Sequence, residues 1–293
     1  MPRADLRGVL QSGAFIGAPG VFDMISARMA DESACEAIYV TGYGTVASHL
    51  GLPDAGLATY TDMVERVGRI AAGVRKPVIA DADTGYGGLL NVRHTVRGYE
   101  AAGVAAIQLE DQEFPKKCGH TPNRRVIPTD DMVRKIRVAV DSRSSPEVLI
   151  IARTDARTSL GLDEALRRGE AYARAGADIL FIESPESEDE LARVGSSFDI
   201  PVLANMVHGG RTPVLSRNRL IELGFQVAIY PAIGFLAVAE ILRRAYSGIA
   251  AGEAEPSVPL YRFSDFNELI GFPDIWEFER RYADAPVQEV QTP

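Results

Sequence analysis

The 293-residue chain reads as an α/β protein, a (β/α)8 TIM-type barrel with a C-terminal helical extension. Three observations predict that fold. Eight short runs between residues 14 and 230 are apolar throughout, as parallel strands buried on both faces must be. Amphipathic segments with helical spacing lie between the runs. Helical segments end on glycine just before the next run, at Gly103, Gly176 and Gly224, which is the turn of a repeated unit.

An amphipathic segment at 4–11 precedes the repeat. Strands are expected at 14–17, 37–41, 77–82, 105–110, 148–153, 179–183, 201–205 and 226–230. Helices are expected at 22–31, 60–74, 91–102, 129–142, 162–175, 187–198, 216–223 and 234–247. Residues 1–250 thus form a catalytic barrel, and 251–293 a separate extension. Pro256 and Pro259 mark a linker, after which 264–283 carries Phe266, Phe272, Trp276, Phe278 and Tyr282. Such an aromatic appendage needs a partner, and a contact between subunits is favoured over packing on its own barrel. The last ten residues read as disordered.

Composition narrows the function. Hydrophobic residues at 46% and charged residues at 24% fit a large folded core. A net charge of −9 without a long basic block argues against nucleic acid as a partner. No run approaches the ~18 apolar residues of a membrane span, and the N-terminus lacks a signal-peptide core. Cys35 and Cys118 do not suggest a disulfide scaffold, and Cys35, beside an apolar run, reads as structural. A cytoplasmic location is expected.

In such a barrel the reactive groups collect at the C-terminal ends of the strands. Those ends read Thr41-Gly42-Tyr43, Asp81-Ala82-Asp83, Glu110-Asp111, Arg153-Thr154-Asp155, Glu183 and Asn205. Burying such groups without a ligand would cost several kcal/mol, so they point to one site. The stretch 105–125 is its centre: a strand delivers carboxylates to a loop holding Lys116, Lys117, Cys118, Gly119 and His120. Asp81 and Asp83, two apart at a strand end, face one side and suit Mg²⁺, with Mn²⁺ as an alternative. The competing reading is a carboxylate pair capping the next helix near Asn91. Arg153 suits a bidentate carboxylate clamp, or an ion pair with Glu183 or Asp155, or both. Neighbouring ammonium groups should lower the Cys118 pKa if the loop folds over the mouth, fitting it to donate or accept a proton at neutral pH or to act as a nucleophile. The glycines in 42–44 and 85–88 match no nucleotide-binding fingerprint.

Taken together, GLPD (51–54), DADTGYGG (81–88), LEDQ (109–112), PKKCGH (115–120), IARTDA (151–156) and LANM (203–206) resemble the isocitrate lyase/phosphoenolpyruvate mutase superfamily, specifically its KKCGH-containing lyase branch. The resemblance covers roughly residues 15–250. It implies that Asp81 and Asp83 hold Mg²⁺, with Asp54 and Glu110 acting through water. Thr41, Gly42 and Tyr43 would cradle the substrate's oxo- or hydroxy-acid end. Arg153 and Glu183 would orient it, Asn205 would bind a second carboxylate, and Cys118 would be the acid/base on a loop with Lys116, Gly119 and His120. The implied activity is cleavage of a small 2-hydroxy di- or tricarboxylate of the 2-methylisocitrate or 2,3-dimethylmalate type to a 2-oxo acid and a second carboxylate. A phosphonomutase and a non-catalytic oxo-acid binder are the alternatives. A homotetramer with an exchanged C-terminal helix is also implied. Pro231 stands where the superfamily's oxaloacetate hydrolases are expected to carry serine, which argues against oxaloacetate hydrolysis. His208 stands where relatives usually have glutamate, a departure near the mouth.

Overall fold

A computed structural model describes residues 5–119, 124–255 and 257–283. Eight strands close into a barrel in sequence order. They are β1 (Ile16–Val21), β2 (Ile38–Val40), β3 (Val78–Asp81), β4 (Ala106–Glu110), β5 (Leu149–Thr154), β6 (Ile179–Ile182), β7 (Val202–Asn205) and β8 (Val227–Tyr230). All neighbours are parallel, and β1 closes on β8 in the register Ile16↔Val227 to Pro19↔Tyr230. The expected (β/α)8 barrel is therefore the observed fold.

Helix α1 (Leu6–Gln11) precedes β1, and α2 (Met24–Glu32) follows it. After β2 come α3 (Gly42–Leu50) and α4 (Tyr60–Gly73), and after β3 comes α5 (Leu89–Ala102). The chain then adds α6 (Thr129–Ser142) after β4, α7 (Ala156–Leu160) and α8 (Leu162–Arg174) after β5, α9 (Glu188–Ser196) after β6, and α10 (Arg217–Glu222) after β7. Helix α11 (Ile233–Ala250) follows β8.

Two details differ from the sequence reading. Strand β1 starts at Ile16 and runs to Val21, through Pro19 and Gly20, which look like strand breakers. A Cβ on Gly20 would lie 2.4 Å from the Pro231 carbonyl oxygen, so this glycine permits a close backbone approach. Helices α3 and α7 were not expected. Thr41 caps α3, accepting the Gly44 N–H at 3.5 Å, so the two glycines of 42–44 open a helix.

Alternate strand residues face two cores. One set, including Ile79, Leu149, Ile151, Phe181, Leu203 and Ile229, clusters with Leu6 of α1 and fills the lumen. The other set packs against the helix layer; Val40, Val78, Ala80 and Ile107 meet Met63, Val67 and Val96 there. Near its C-terminal end the lumen turns polar. Buried Gln108 accepts from Tyr39 Oη at 3.2 Å and donates to Asp81 Oδ1 at 3.3 Å.

The chain divides into two compact units, residues 1–237 and 238–293. In the second, α12 (Phe263–Ile270) and α13 (Phe272–Ala283) are joined at left-handed Gly271. Phe263, Trp276, Phe278 and Tyr282 are exposed. The residues expected to be disordered, 284–293, lie outside those described. Among the described residues, no helix is long and apolar enough to cross a membrane.

Candidate active site

The strand ends open into one cavity of about 290 Å³. Thr41, Tyr43, Asp54, Asp81, Glu110, Lys116, Cys118, Gly119, Arg153, Glu183 and Asn205 all line it. Gly42 and Asp83 stand directly behind that wall. A Cβ on Gly42 would fall 2.8 Å from Asp81 Oδ2 and 3.6 Å from Asp83 Oδ1. His120 lies outside the described residues.

The two aspartates meet by a different route from the one strand spacing suggests. Strand β3 ends at Asp81, and Asp83 is reached through a turn with φ 49°, where its N–H donates to Asp81 Oδ1 at 3.1 Å. Left-handed φ at a non-glycine residue costs about 1–3 kcal/mol and persists only where surroundings impose it. Here three groups hold the turn from outside. Tyr99 Oη donates to the Asp81 carbonyl at 3.2 Å, Thr95 Oγ1 to that of Gly85 at 3.3 Å, and Lys135 Nζ to that of Thr84 at 2.8 Å. Helix α5 is closed by Asn91, whose side chain accepts from the Gly88 N–H, so the aspartates are not its cap.

Charge is concentrated here. Lys116 Nζ lies 2.5 Å from Asp54 Oδ1 and 2.5 Å from Asp83 Oδ1. Burial pushes the Asp83 carboxyl up to about 7 against the pull of Lys116. Burial likewise holds Glu110 well above the usual carboxylate range, although Arg153 pulls it down. Burial disfavours the Lys116 ammonium, but Asp83, Asp54, Glu110 and Asp81 outweigh it, and its pKa rises well above the ordinary lysine value. Arg153 forks onto Asp155 with two bonds of 2.9 Å and stands 3.4 Å from both Glu110 and Glu183. Both expected partners are thus present together. Asn205 Nδ2 donates to Glu183 Oε2 at 3.0 Å.

The loop after β4 is pinned across this mouth. Gln112 grips the backbone of Lys117 at both N–H (3.0 Å) and carbonyl (2.8 Å). The Cys118 N–H donates to the Asp54 carbonyl at 3.2 Å, and Ser184 Oγ donates to the Gly119 carbonyl at 3.1 Å. These contacts deliver half-buried Cys118 to the cavity. The opposite wall is apolar: Val207, Ile229, Pro231, Ala232, Phe235 and Leu236, with Tyr43 stacked on Phe235 at 5.1 Å. His208 lines that side and is exposed.

Asp111, adjacent to Glu110 in sequence, faces away from the cavity. It is fully buried and accepts from Thr154 Oγ1 (2.7 Å), the Asp155 N–H (2.9 Å), Tyr172 Oη (2.7 Å) and Arg168 (3.1 Å). Asp155 and Arg124 form a buried ion pair behind Arg153 that sequence reasoning did not place. The RTD run hinted at Asp155; nothing local signalled Arg124.

The residues fit a hard divalent cation. Glu110 Oε1 is buried without a hydrogen-bond partner among the described residues, and carboxylate oxygen is the donor that Mg²⁺ prefers. No group of three or more His, Cys, Asp or Glu side chains among the described residues is arranged to hold a metal.

The sequence model of the phosphoenolpyruvate phosphomutase family matches residues 6–250. The chain belongs to that family. It is 47% identical over 282 residues to 2,3-dimethylmalate lyase of Eubacterium barkeri, covering 96% of this chain and 98% of that one. A structure of oxaloacetate acetylhydrolase bound to 3,3-difluorooxalacetate superposes with a TM-score of 0.91 at 32% identity, over 96% of this chain and 97% of the other. Phosphonopyruvate hydrolase in complex with oxalate and Mg²⁺ superposes with a TM-score of 0.85 at 30% identity, over 95% and 98%. Family members of one fold thus carry different reactions, and the choice among them falls to the site.

Proposed function

We propose that the protein is a Mg²⁺-dependent carbon–carbon lyase that cleaves a substituted malate between C2 and C3. The products are a 2-oxo acid and a second carboxylate. The observation that carries this reading is Cys118, fixed by the Asp54 carbonyl at a cavity with one charged and one apolar wall. The 47% identity to a 2,3-dimethylmalate lyase supports it.

Arg153 takes one substrate carboxylate, Asn205 the other, and Thr41-Gly42-Tyr43 cradle the 2-hydroxy acid end. The wall of Val207, Ile229, Pro231 and Phe235 receives alkyl groups on C2 and C3. Asp81 and Asp83 would hold Mg²⁺, with Asp54 and Glu110 through water, and Mn²⁺ could replace it. Bound there, the ion would act as a Lewis acid on substrate oxygen. In its ionised form Glu110, whose proton affinity burial raises, accepts the proton of the 2-hydroxyl. Cleavage of C2–C3 then leaves a 2-oxo acid and a carboxylate-stabilised carbanion, and the Cys118 thiol protonates C3. Glu183 keeps Arg153 and Asn205 in place, and the Lys116 ammonium offsets the carboxylate charge. His120, five residues beyond Pro115, is read as a further acid/base group of the loop. With 2,3-dimethylmalate the products would be pyruvate and propionate.

The test is Cys118→Ser. The variant keeps its Tm and Mg²⁺ affinity and loses about 10²–10⁴-fold in kcat, the usual worth of a positioned acid. Full activity would remove Cys118 from the mechanism. We also read the protein as a cytoplasmic homotetramer. The exposed aromatic faces of α12 and α13 support the subunit contact, and the two free cysteines suit the compartment.

A further inference from the structure

We propose that Arg124 is a positioning residue for Arg153, acting through the Asp155 carboxylate that the two guanidinium groups share. This rests on the reading of Arg153 as the clamp for a substrate carboxylate.

Three residues form the unit, and all are buried: Arg124 is 4% exposed, Arg153 7% and Asp155 0%. Asp155 Oδ2 accepts from Arg153 Nε and Oδ1 from Arg153 Nη2, both at 2.9 Å. Arg124 Nη1 donates to the same Oδ1. Asp155 occupies the N-cap position of α7, yet its side chain makes no cap hydrogen bond. Its carboxylate is committed to the arginines. The position is fixed on two more sides, since the Asp155 N–H donates to Asp111 Oδ1 at 2.9 Å and Arg124 Nη2 donates to Thr158 Oγ1 at 2.6 Å.

The aim of Arg153 depends on that carboxylate. Its separations from Glu110 and Glu183, 3.4 Å each, exceed the ~2.7–2.9 Å of charge-assisted hydrogen bonds. The Asp155 fork therefore sets the plane of the guanidinium. Around Arg153 stand three buried carboxylates, Glu110, Asp155 and Glu183, and Arg124 adds a buried cation on the Asp155 side. Without Arg124, Asp155 would draw Arg153 more strongly and compete with the substrate carboxylate for it. Burial opposes ionisation of Asp155, and Arg153 and Arg124 together hold its carboxyl below the usual range.

The foot of the Arg124 loop is already tied by a Gln112↔Val126 bridge, by the Glu113 N–H to the Arg125 carbonyl at 2.8 Å, and by the Ile127 N–H to the Asp111 carbonyl at 2.8 Å. A role confined to folding would thus leave Arg153 unmoved when Arg124 is replaced.

The experiment compares wild type, Arg124→Met and Arg124→Lys as full chains labelled with ¹⁵N-arginine. The Arg153 Nε–H resonance, assigned by its loss in Arg153→Lys, is the first readout. The second is the division between KM and kcat for 2,3-dimethylmalate with Mg²⁺. In Arg124→Met the resonance shifts and exchanges faster with water, and KM rises about tenfold or more while kcat changes less, the scale of losing an outer-shell partner. Arg124→Lys restores part of both and covers the case in which Arg124→Met does not fold. An unchanged Arg153 resonance in a folded variant overturns the proposal, whatever the Tm does. If wild type fails to turn over 2,3-dimethylmalate, the functional reading fails there, and the resonance alone still decides the role of Arg124.

Discussion

Gly119→Ala is the most informative single methyl that can be added to this protein. A Cβ at position 119 would lie 2.4 Å from Arg153 Nη2 and 2.9 Å from Glu183 Oε2. Ordinary contact begins near 3.4 Å, so the loop or the arginine must move by about 1 Å. The position is not in the left-handed region, so alanine adds no backbone strain. Misplacing a clamp by ~1 Å costs about 10²-fold in rate, equivalent to about 2.7 kcal/mol of transition-state stabilisation. The assay is 2-oxo acid release from 2,3-dimethylmalate with Mg²⁺, beside a Tm measurement. Gly88→Ala is the control, because a Cβ there meets nothing within 4 Å. The expected result is a loss of about 10²-fold in kcat/KM for Gly119→Ala and under twofold for Gly88→Ala, both folded. A Gly119→Ala enzyme within twofold of wild type would refute the packing of this loop on Arg153 and Glu183.

Three further outcomes follow from the same geometry. Mg²⁺ at a hundred times its Kd should stabilise the chelator-treated protein by about 2.7 kcal/mol, read as a rise in Tm that Asp81→Asn abolishes. Lys116→Met removes the ammonium from between Asp54 and Asp83 and should destabilise the metal-free protein by about 3–5 kcal/mol, with Mg²⁺ restoring much of the loss; an unchanged Tm would contradict the buried pairs. Asp31 accepts from the Arg75 N–H at 2.9 Å and the Lys76 N–H at 3.0 Å, and although burial works against it these bonds hold its carboxyl below the usual 3.8. Its contribution to stability is therefore present above pH 3.8 and lost as pH falls through its lowered pKa; Asp31→Asn should lower stability at pH 7 and flatten that part of the acid-unfolding curve.

Most of the barrel was legible because apolar runs and glycine-ended helices are local signals. The strand ends were legible for the same reason: Asp81, Glu110, Arg153, Glu183 and Asn205 each close an apolar run. What escaped depends on contacts distant in sequence. Pro19 and Gly20 look like breakers until β8 is seen to approach them. No helix was expected over Gly42 and Gly44, yet they open α3, because Thr41 caps it. Asp83 reaches Asp81 through a left-handed turn that Tyr99, Thr95 and Lys135 impose from two later helices. Asp111 resembles a second active-site carboxylate and is instead the anchor for Arg168 and Tyr172, 57 and 61 residues away. Arg124 meets Asp155 across 31 residues, and no local pattern announces such a pair.

The central claim is carbon–carbon cleavage with proton delivery from Cys118. Its most direct test follows product release from 2,3-dimethylmalate, 2-methylisocitrate, oxaloacetate and phosphoenolpyruvate, with and without Mg²⁺, by proton and phosphorus NMR in deuterated water. The prediction is metal-dependent formation of pyruvate from a substituted malate, with deuterium at the former C3 of the second product, and loss of that reaction in Cys118→Ser. Hydrolysis of oxaloacetate or rearrangement of the phosphorus compound, with the substituted malates left untouched, would contradict it.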